Sequence, residues 1–282
     1  MNRIERYGRK AKWSAAFAVA AFVVAGCGGG GGDAAAPGPG PVVDAAGAVC
    51  AGADCVPLAS AGNYTILTQD GATTTGTTAI TGHVGSTAAA SSTTGFSETL
   101  AADGSYATSA LVIGGGRMYA FDYALTTPAA MTQAIADAGA AFNDVDSPIS
   151  HPVGVGNTDV GTPAGNITGM DLAPGVYEWT AATVVINAPG VTLTGGPTAV
   201  WIFRTPGGIT MDSGATVTLA GGALPQNVFW RSGTVVTLND NANLKGIVLS
   251  GTSVTMTNGA SVNGRLIATR GVTLIGNTVT RP

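Results

Sequence analysis

The sequence predicts an all-β protein with one long helix: a right-handed, three-faced β-solenoid of about 18-residue coils with an α-helix packed along one face. Three observations lead there. Gly, at 43 of 282 residues, is about twice as frequent as in an average globular chain, while Pro is ordinary and only 10% of the chain is charged. Thr, Val and Ala far outnumber helix formers such as Glu and Lys, a balance that favours short strands separated by Gly turns. An internal repeat runs through the C-terminal part, and a single segment of helical periodicity lies before it.

At the N-terminus, Arg3, Arg6, Arg9, Lys10 and Lys12 precede an apolar run at 13–25, the two opening regions of an export signal. The run is too short for a stable transmembrane helix. It closes on Val24-Ala25-Gly26-Cys27, which looks like a bacterial lipobox, with Cys27 becoming the lipid-bearing first residue after cleavage. Residues 1–26 thus read as a lipoprotein signal peptide. The expected location is the cell envelope, lipid-anchored at the outer membrane or cell surface, or secreted. Without residues 1–26 the chain keeps 7 basic against 15 acidic residues, near −8, which argues against nucleic acid or an anionic membrane surface as a partner. Membrane contact is then through the N-terminal lipid alone.

Residues 27–57 are rich in Gly, Ala and Pro, with five glycines at 28–32 and Pro37-Gly38-Pro39-Gly40-Pro41, and carry no apolar period. They read as a tether. Cys50 and Cys55, in an oxidising compartment, suggest a small disulfide loop; a metal site there lacks the further His and Cys it would need. No cofactor is implied.

Residues 58–282 form the domain. Its first part supplies strand-sized pieces such as Tyr64-Thr65-Ile66-Leu67 and Ala79-Ile80-Thr81-Gly82-His83-Val84. Thr127-Pro128 then offers an N-cap followed by Pro, with Met131, Ile135, Ala138 and Phe142 on one face, predicting a helix at 128–143. Further on, 18-residue segments starting at Val184, Ile202, Phe229, Ile247 and Arg265 align without gaps, with nine inserted residues, 220–228, after the second. Each carries an apolar-Thr-apolar triplet at its eighth to tenth positions, from Val191-Thr192-Leu193 to Val272-Thr273-Leu274.

A coil of three short strands stacked every ~4.8 Å fits that period. Alternation turns Val191, Ile209, Val236, Val254 and Val272 inward as a ladder and Thr192, Thr210, Thr237, Thr255 and Thr273 outward as a column. Thr194, Asn239 and Thr257 flank that column. The strand opening each coil, as in Ile202-Phe203, Phe229-Trp230 and Ile247-Val248-Leu249, is apolar on both sides and so must be covered; the helix is the candidate. A second open face carries Thr198, Thr216, Asn243 and Ser261, with Thr218, Lys245, Asn263 and Arg281 two positions on.

These residues resemble those of a known family, the bacterial and fungal ice-binding proteins, built on a discontinuous right-handed β-solenoid with a companion helix. The stretches that carry the resemblance run in the family's order over 58–282. They include Ala61-Gly62-Asn63-Tyr64-Thr65-Ile66-Leu67, Leu172-Ala173-Pro174-Gly175-Val176-Tyr177-Glu178-Trp179, Ala199-Val200-Trp201-Ile202-Phe203, Asn227-Val228-Phe229-Trp230 and Gly259-Ala260-Ser261-Val262-Asn263-Gly264-Arg265-Leu266. Two places depart from it: His83 stands in Gly82-His83-Val84-Gly85 where an acid is usual, and 165–170 is looser than the family's segment.

The resemblance implies a monomeric ice-binding (antifreeze) protein whose partner is the ice surface. It would inhibit ice growth or recrystallisation, or attach the cell to ice. A rigid neutral lattice calls for a flat, uncharged, regularly spaced partner, and each Thr gives a hydroxyl to anchor water and a methyl that discourages disordered hydration. The expected contact is therefore Thr192, Thr210, Thr237, Thr255 and Thr273 with Thr194, Thr257 and Asn239. The alternative face is Thr198, Thr216, Thr218, Asn243, Ser261 and Asn263, beside the hydrated cations Lys245 and Arg281.

Catalysis finds no footing. His83 and His151 lie outside the repeats, Asp212 and Asp240 have no basic partner on their face, and Arg204 and Arg231 suit pairing with Asp137, Asp144 or Asp146. A lipid-anchored adhesin or glycan-binding solenoid is the other reading. It would use exposed aromatics, but Trp201, Phe203, Phe229 and Trp230 fall in the covered strand, leaving Tyr64, Tyr106, Tyr119 and Tyr123.

Overall fold

In a computed structural model the chain is described from residue 55 to 282, so the signal segment, Cys27, Cys50 and nearly all of the tether lie outside the described residues. Residues 55–282 fold as a β-solenoid with one α-helix, Thr127–Val145. Its sheets are not closed, and its coils pair in parallel.

Each coil contributes three strands to three stacks. The first stack runs Gly175–Glu178, Trp201–Thr205, Val228–Ser232, the later halves of Asn243–Ser250 and Ser261–Ala268, then Tyr64–Thr68 and His83–Ser86. The second runs Val184–Ile186, Ile209–Met211, Val236–Leu238, Val254–Met256, Val272–Ile275 and Ala72–Thr75. The third runs Gly190–Thr194, Thr216–Ala220, the opening halves of Asn243–Ser250 and Ser261–Ala268, Thr278–Thr280, Ala79–Thr81 and Val112–Ile113. The chain is therefore discontinuous along the stack. Its first coil, 64–81, sits on the coil formed last, 265–280, with Leu266 opposite Ile66 and Val272 opposite Ala72.

The coil period is not uniform. Phe229 pairs with Ile247 and Ile247 with Arg265, 18 residues apart in both cases, but Ile202 pairs with Phe229 and Val184 with Ile209. Those two coils take 27 and 25 residues. The gapless alignment of the first copy is thus corrected: Val184-Val185-Ile186, and not Val191-Thr192-Leu193, lies beside Ile209-Thr210-Met211. The triplets share one alternation and one pattern of burial, so pattern alone did not choose between them. The deciding feature is a corner between the third and first stacks, where 195–200 and 221–227 are longer than in later coils. Later coils turn that corner within one continuous strand, at Gly246 and Gly264; a Cβ at Gly264 would lie 1.7 Å from the Gly246 carbonyl oxygen.

Alternation divides the apolar side chains between two cores. Inside the coils lie Ile209, Val236, Val254 and Val272, joined by Val184 and Ala72, with Phe203 stacked on Trp230 at 4.2 Å between ring centroids. Val191 is buried too, but in the third stack, opposite Val217. The second core lies between the first stack and the helix, where Val176, Ile202, Phe229, Ile247, Leu249 and Ile267 meet Met131, Ala134, Ala138, Ala141 and Val145. The helix presents alanines where Ile135 and Phe142 were expected to lead; those two are only partly buried at its edge. Thr127 is its first residue, and its hydroxyl donates to the Ser105 carbonyl at 2.7 Å instead of capping the helix. At 19 residues the helix is about 28 Å long, enough to run past six coils.

Candidate binding face

The second stack is three residues wide, and its middle residue points outward in every coil. Register places Val185, Thr210, Thr237, Thr255, Thr273 and Thr73 in one column, and Thr94 bridges to Thr73 beyond it. Their neighbours on either side in each strand are buried, so these side chains stand on a solid floor. Successive threonines are spaced by the strand separation, ~4.8 Å, and β-branching restrains each χ1. At the junction of the last and first coils, the Thr73 hydroxyl donates to Thr273 Oγ1 at 3.4 Å.

Two residues along each strand lies a flanking column of Asn187, Asp212, Asn239, Thr257, Ile275 and Thr75. Asn239 Nδ2 donates to Asp212 Oδ1 at 3.4 Å, and Asp212 is the one charged residue of these two columns. Two residues before the central column come Thr183, Gly208, Val235, Ser253, Gly271 and Gly71. The result is a nearly uncharged rectangle, about 24 Å by 13 Å from strand geometry.

Four of the expected contact residues, Thr210, Thr237, Thr255 and Thr273, are brought together in the column, with Asn239 and Thr257 beside them. Thr192 and Thr194 are not. They lie on Gly190–Thr194 in the third stack, where Thr192 is opposite Thr218 and Thr194 opposite Ala220. The third face holds Thr216, Asn243, Ser261 and Thr278 in one outward column and Lys245, Asn263, Thr280 and Thr81 in another. Thr218 stands on the same face beside Thr192, while Thr198 lies in the corner at 195–200, outside every strand. Cys27 and Cys50 are outside the described residues; Cys55 is disulfide-bonded, with its partner also outside them.

Sequence reasoning missed Thr73, Thr75 and Thr94. The apolar-Thr-apolar signature fails in Ala72–Thr75, because the inward position after Thr73 is itself a threonine, Thr74, buried and hydrogen-bonded to the Thr78 hydroxyl at 2.7 Å. The weaker signal was the run Thr73-Thr74-Thr75 itself.

The charged groups elsewhere serve the fold. Arg204 and Arg231 lie side by side on the first stack, and Arg231 pairs with Asp146 over the Phe142 ring, as expected. Arg204 instead pairs with Glu178 at 2.6 Å and donates to the carbonyls of Val145 and His151. His151 meets Asp144 at 3.0 Å. His83 accepts a hydrogen bond from the Arg117 backbone. Among the described residues no group of three or more His, Cys, Asp or Glu could hold a metal ion. Tyr106 lies under the Arg117 guanidinium, and Tyr123 donates to Glu98, so these aromatics are engaged locally.

The chain is thus of the class of β-solenoid proteins with a helix along one face, here with a threonine-lined face beside it. The chain belongs to the Ice-binding-like family, whose model matches residues 66–280. It is 38% identical over 191 residues to an ice-binding protein of Lentinula edodes, a match covering 67% of this chain and 63% of that protein. With an ice-binding protein of Flavobacterium frigoris it shares 37% identity over 236 residues, 81% of this chain and 77% of the relative. The crystal structure of an ice-binding protein with antifreeze activity from an Arctic yeast superposes with a TM-score of 0.75 at 34% identity, covering 82% of this chain and 95% of that one.

Proposed function

We propose that the protein binds ice, adsorbing through the second-stack face and thereby restraining crystal growth or holding its cell to ice. One observation carries this reading: outward threonines occupy consecutive coils in register from Thr210 through Thr237, Thr255 and Thr273 to Thr73. A preorganised column loses little entropy on docking, and its neighbours, uncharged apart from Asp212, let ordered water bridge to a lattice. The third face competes poorly because Lys245 holds its own hydration shell. The action is adsorption, with no chemistry performed on a substrate.

The protein works as a monomer at the cell envelope, held by lipid on Cys27 and kept at a distance by the tether. The lipobox pattern ending at Cys27 supports the anchor. The test is thermal hysteresis and crystal shaping of the purified protein in a nanolitre osmometer, with uptake into a growing ice hemisphere. Absence of all three would overturn ice binding and favour a surface adhesin. Replacement of Cys27 by Ala should release the protein from the detergent phase.

A further inference from the structure

The threonine face is not uniform, and its two halves differ in the chemistry they show to water. We propose that ice contact is centred on the seam where the first coil, 64–81, stacks on the last, 265–280, and that the opposite half is peripheral. This inference rests on the reading of the second-stack face as the ice contact.

At the seam, Thr73 and Thr273 are exposed and joined through their hydroxyls. The preceding column there is glycine, Gly71 and Gly271, so no side chain rises beside them on that side. The following column is Thr75, Ile275 and Thr257, and Thr94 extends the central column one step further. Thr75, Thr257 and Thr94 bring hydroxyls and methyls, Gly71 and Gly271 only hydrogens, and Ile275 an uncharged aliphatic side chain. The nearest charges, Arg270 and Asp70, lie at the corner and pair with one another at 3.5 Å.

Toward the other end the pattern decays. The central column ends in Val185, and the following column becomes Asn239, Asp212 and Asn187. A carboxylate binds water in its own geometry, and amides offer two donors and an acceptor where threonine offers one hydroxyl. Asp212 therefore limits the extent of the lattice-matched surface. The site is also incomplete without residues about 200 positions upstream of its C-terminal strands, since Thr73, Thr75 and Thr94 come from the N-terminal part of the chain.

The experiment compares Thr73→Tyr, Thr273→Tyr and Thr210→Tyr in the full chain, each checked for an unchanged melting temperature, with Asp212→Asn as a gain-of-function partner. Thermal hysteresis should lose most of its magnitude in either seam variant and keep most of it in Thr210→Tyr, while Asp212→Asn should raise it. Thr210→Tyr as damaging as both seam variants would overturn the seam, as would loss of activity in Asp212→Asn. Indifference of all three tyrosine variants in an ice-active protein would instead overturn the choice of face. Should one seam variant fold poorly, the other, 200 positions away in sequence, decides the question.

Discussion

Arg204 Nη1 donates to the main-chain carbonyl of Val145 at 2.9 Å, so a side chain of the solenoid wall holds the C-terminal end of the helix. The same guanidinium reaches the His151 carbonyl and pairs with Glu178, although Arg204 itself is only 4% exposed. It satisfies carbonyls that a helix end leaves open and places a cation at the negative end of the helix dipole. Replacing Arg204 with Met should destabilise the fold by about 2–4 kcal/mol, because a buried acceptor set and one half of an ion pair lose their partner. Calorimetry should show a lower melting temperature, with ice binding retained by the folded fraction. An unchanged melting temperature would mean the helix end is held by packing alone.

The inward ladder gives a second expectation. Ile209 is buried between Val184 and Val236 on adjacent coils. Ile209→Ala should cost about 2–5 kcal/mol through lost burial and the cavity left behind. Chemical denaturation measures it, and Thr210→Ala at the next, outward position serves as the control with a small effect.

That ladder also shows what was readable in the sequence. Alternation at Ile209-Thr210-Met211, Val236-Thr237-Leu238, Val254-Thr255-Met256 and Val272-Thr273-Leu274 named four column residues correctly, because once the nine residues inserted at 220–228 are set aside these parallel coils repeat one pattern of inward and outward positions. The same rule misplaced Thr192, since both Val184-Val185-Ile186 and Val191-Thr192-Leu193 alternate and only the length of a corner loop selects between them. Thr73 was hidden for a different reason. It comes from a coil 200 residues away in sequence, whose inward Thr74 is satisfied by Thr78 instead of being apolar. The Arg204 contact with the helix end was beyond reach as well, because its acceptors are main-chain carbonyls and no residue type advertises them.

The helix is also held near its middle, and here acid is the probe. Burial alone would raise the pKa of Asp137, but hydrogen bonds from the Ser60 hydroxyl, the Gln133 amide and the Ser60 backbone N–H outweigh it and hold the carboxyl below its usual 3.8. A carboxyl depressed in the folded state contributes stability that is complete above its unfolded pKa and lost as pH falls through the folded value. Stability should therefore decline as pH drops below about 4, with Asp137 supplying part of the slope. Ser60→Ala should weaken that part, so acid titrations followed by circular dichroism should show a shallower pH dependence for the variant. Identical profiles would place the acid sensitivity elsewhere.

The choice between the two open faces is decided by one pair of substitutions. Thr255 sits in the middle of the second-stack column between Thr237 and Thr273, and Ser261 sits in the third-stack column between Asn243 and Thr278. Both residues are half-buried outward positions between buried neighbours, so a tyrosine at either should be accommodated with little change in melting temperature. Their consequences for ice differ. At 255 the ring would rise above a plane of hydroxyls and methyls and hold several neighbouring threonines away from a lattice that must be met simultaneously, so thermal hysteresis should fall sharply. At 261 it would disturb a face already interrupted by Lys245, and hysteresis should be nearly unchanged. The reverse outcome, a silent Thr255→Tyr and a damaging Ser261→Tyr, would move the ice contact to the third face, where Thr192 and Thr218 would then take the roles assigned to Thr210 and Thr237.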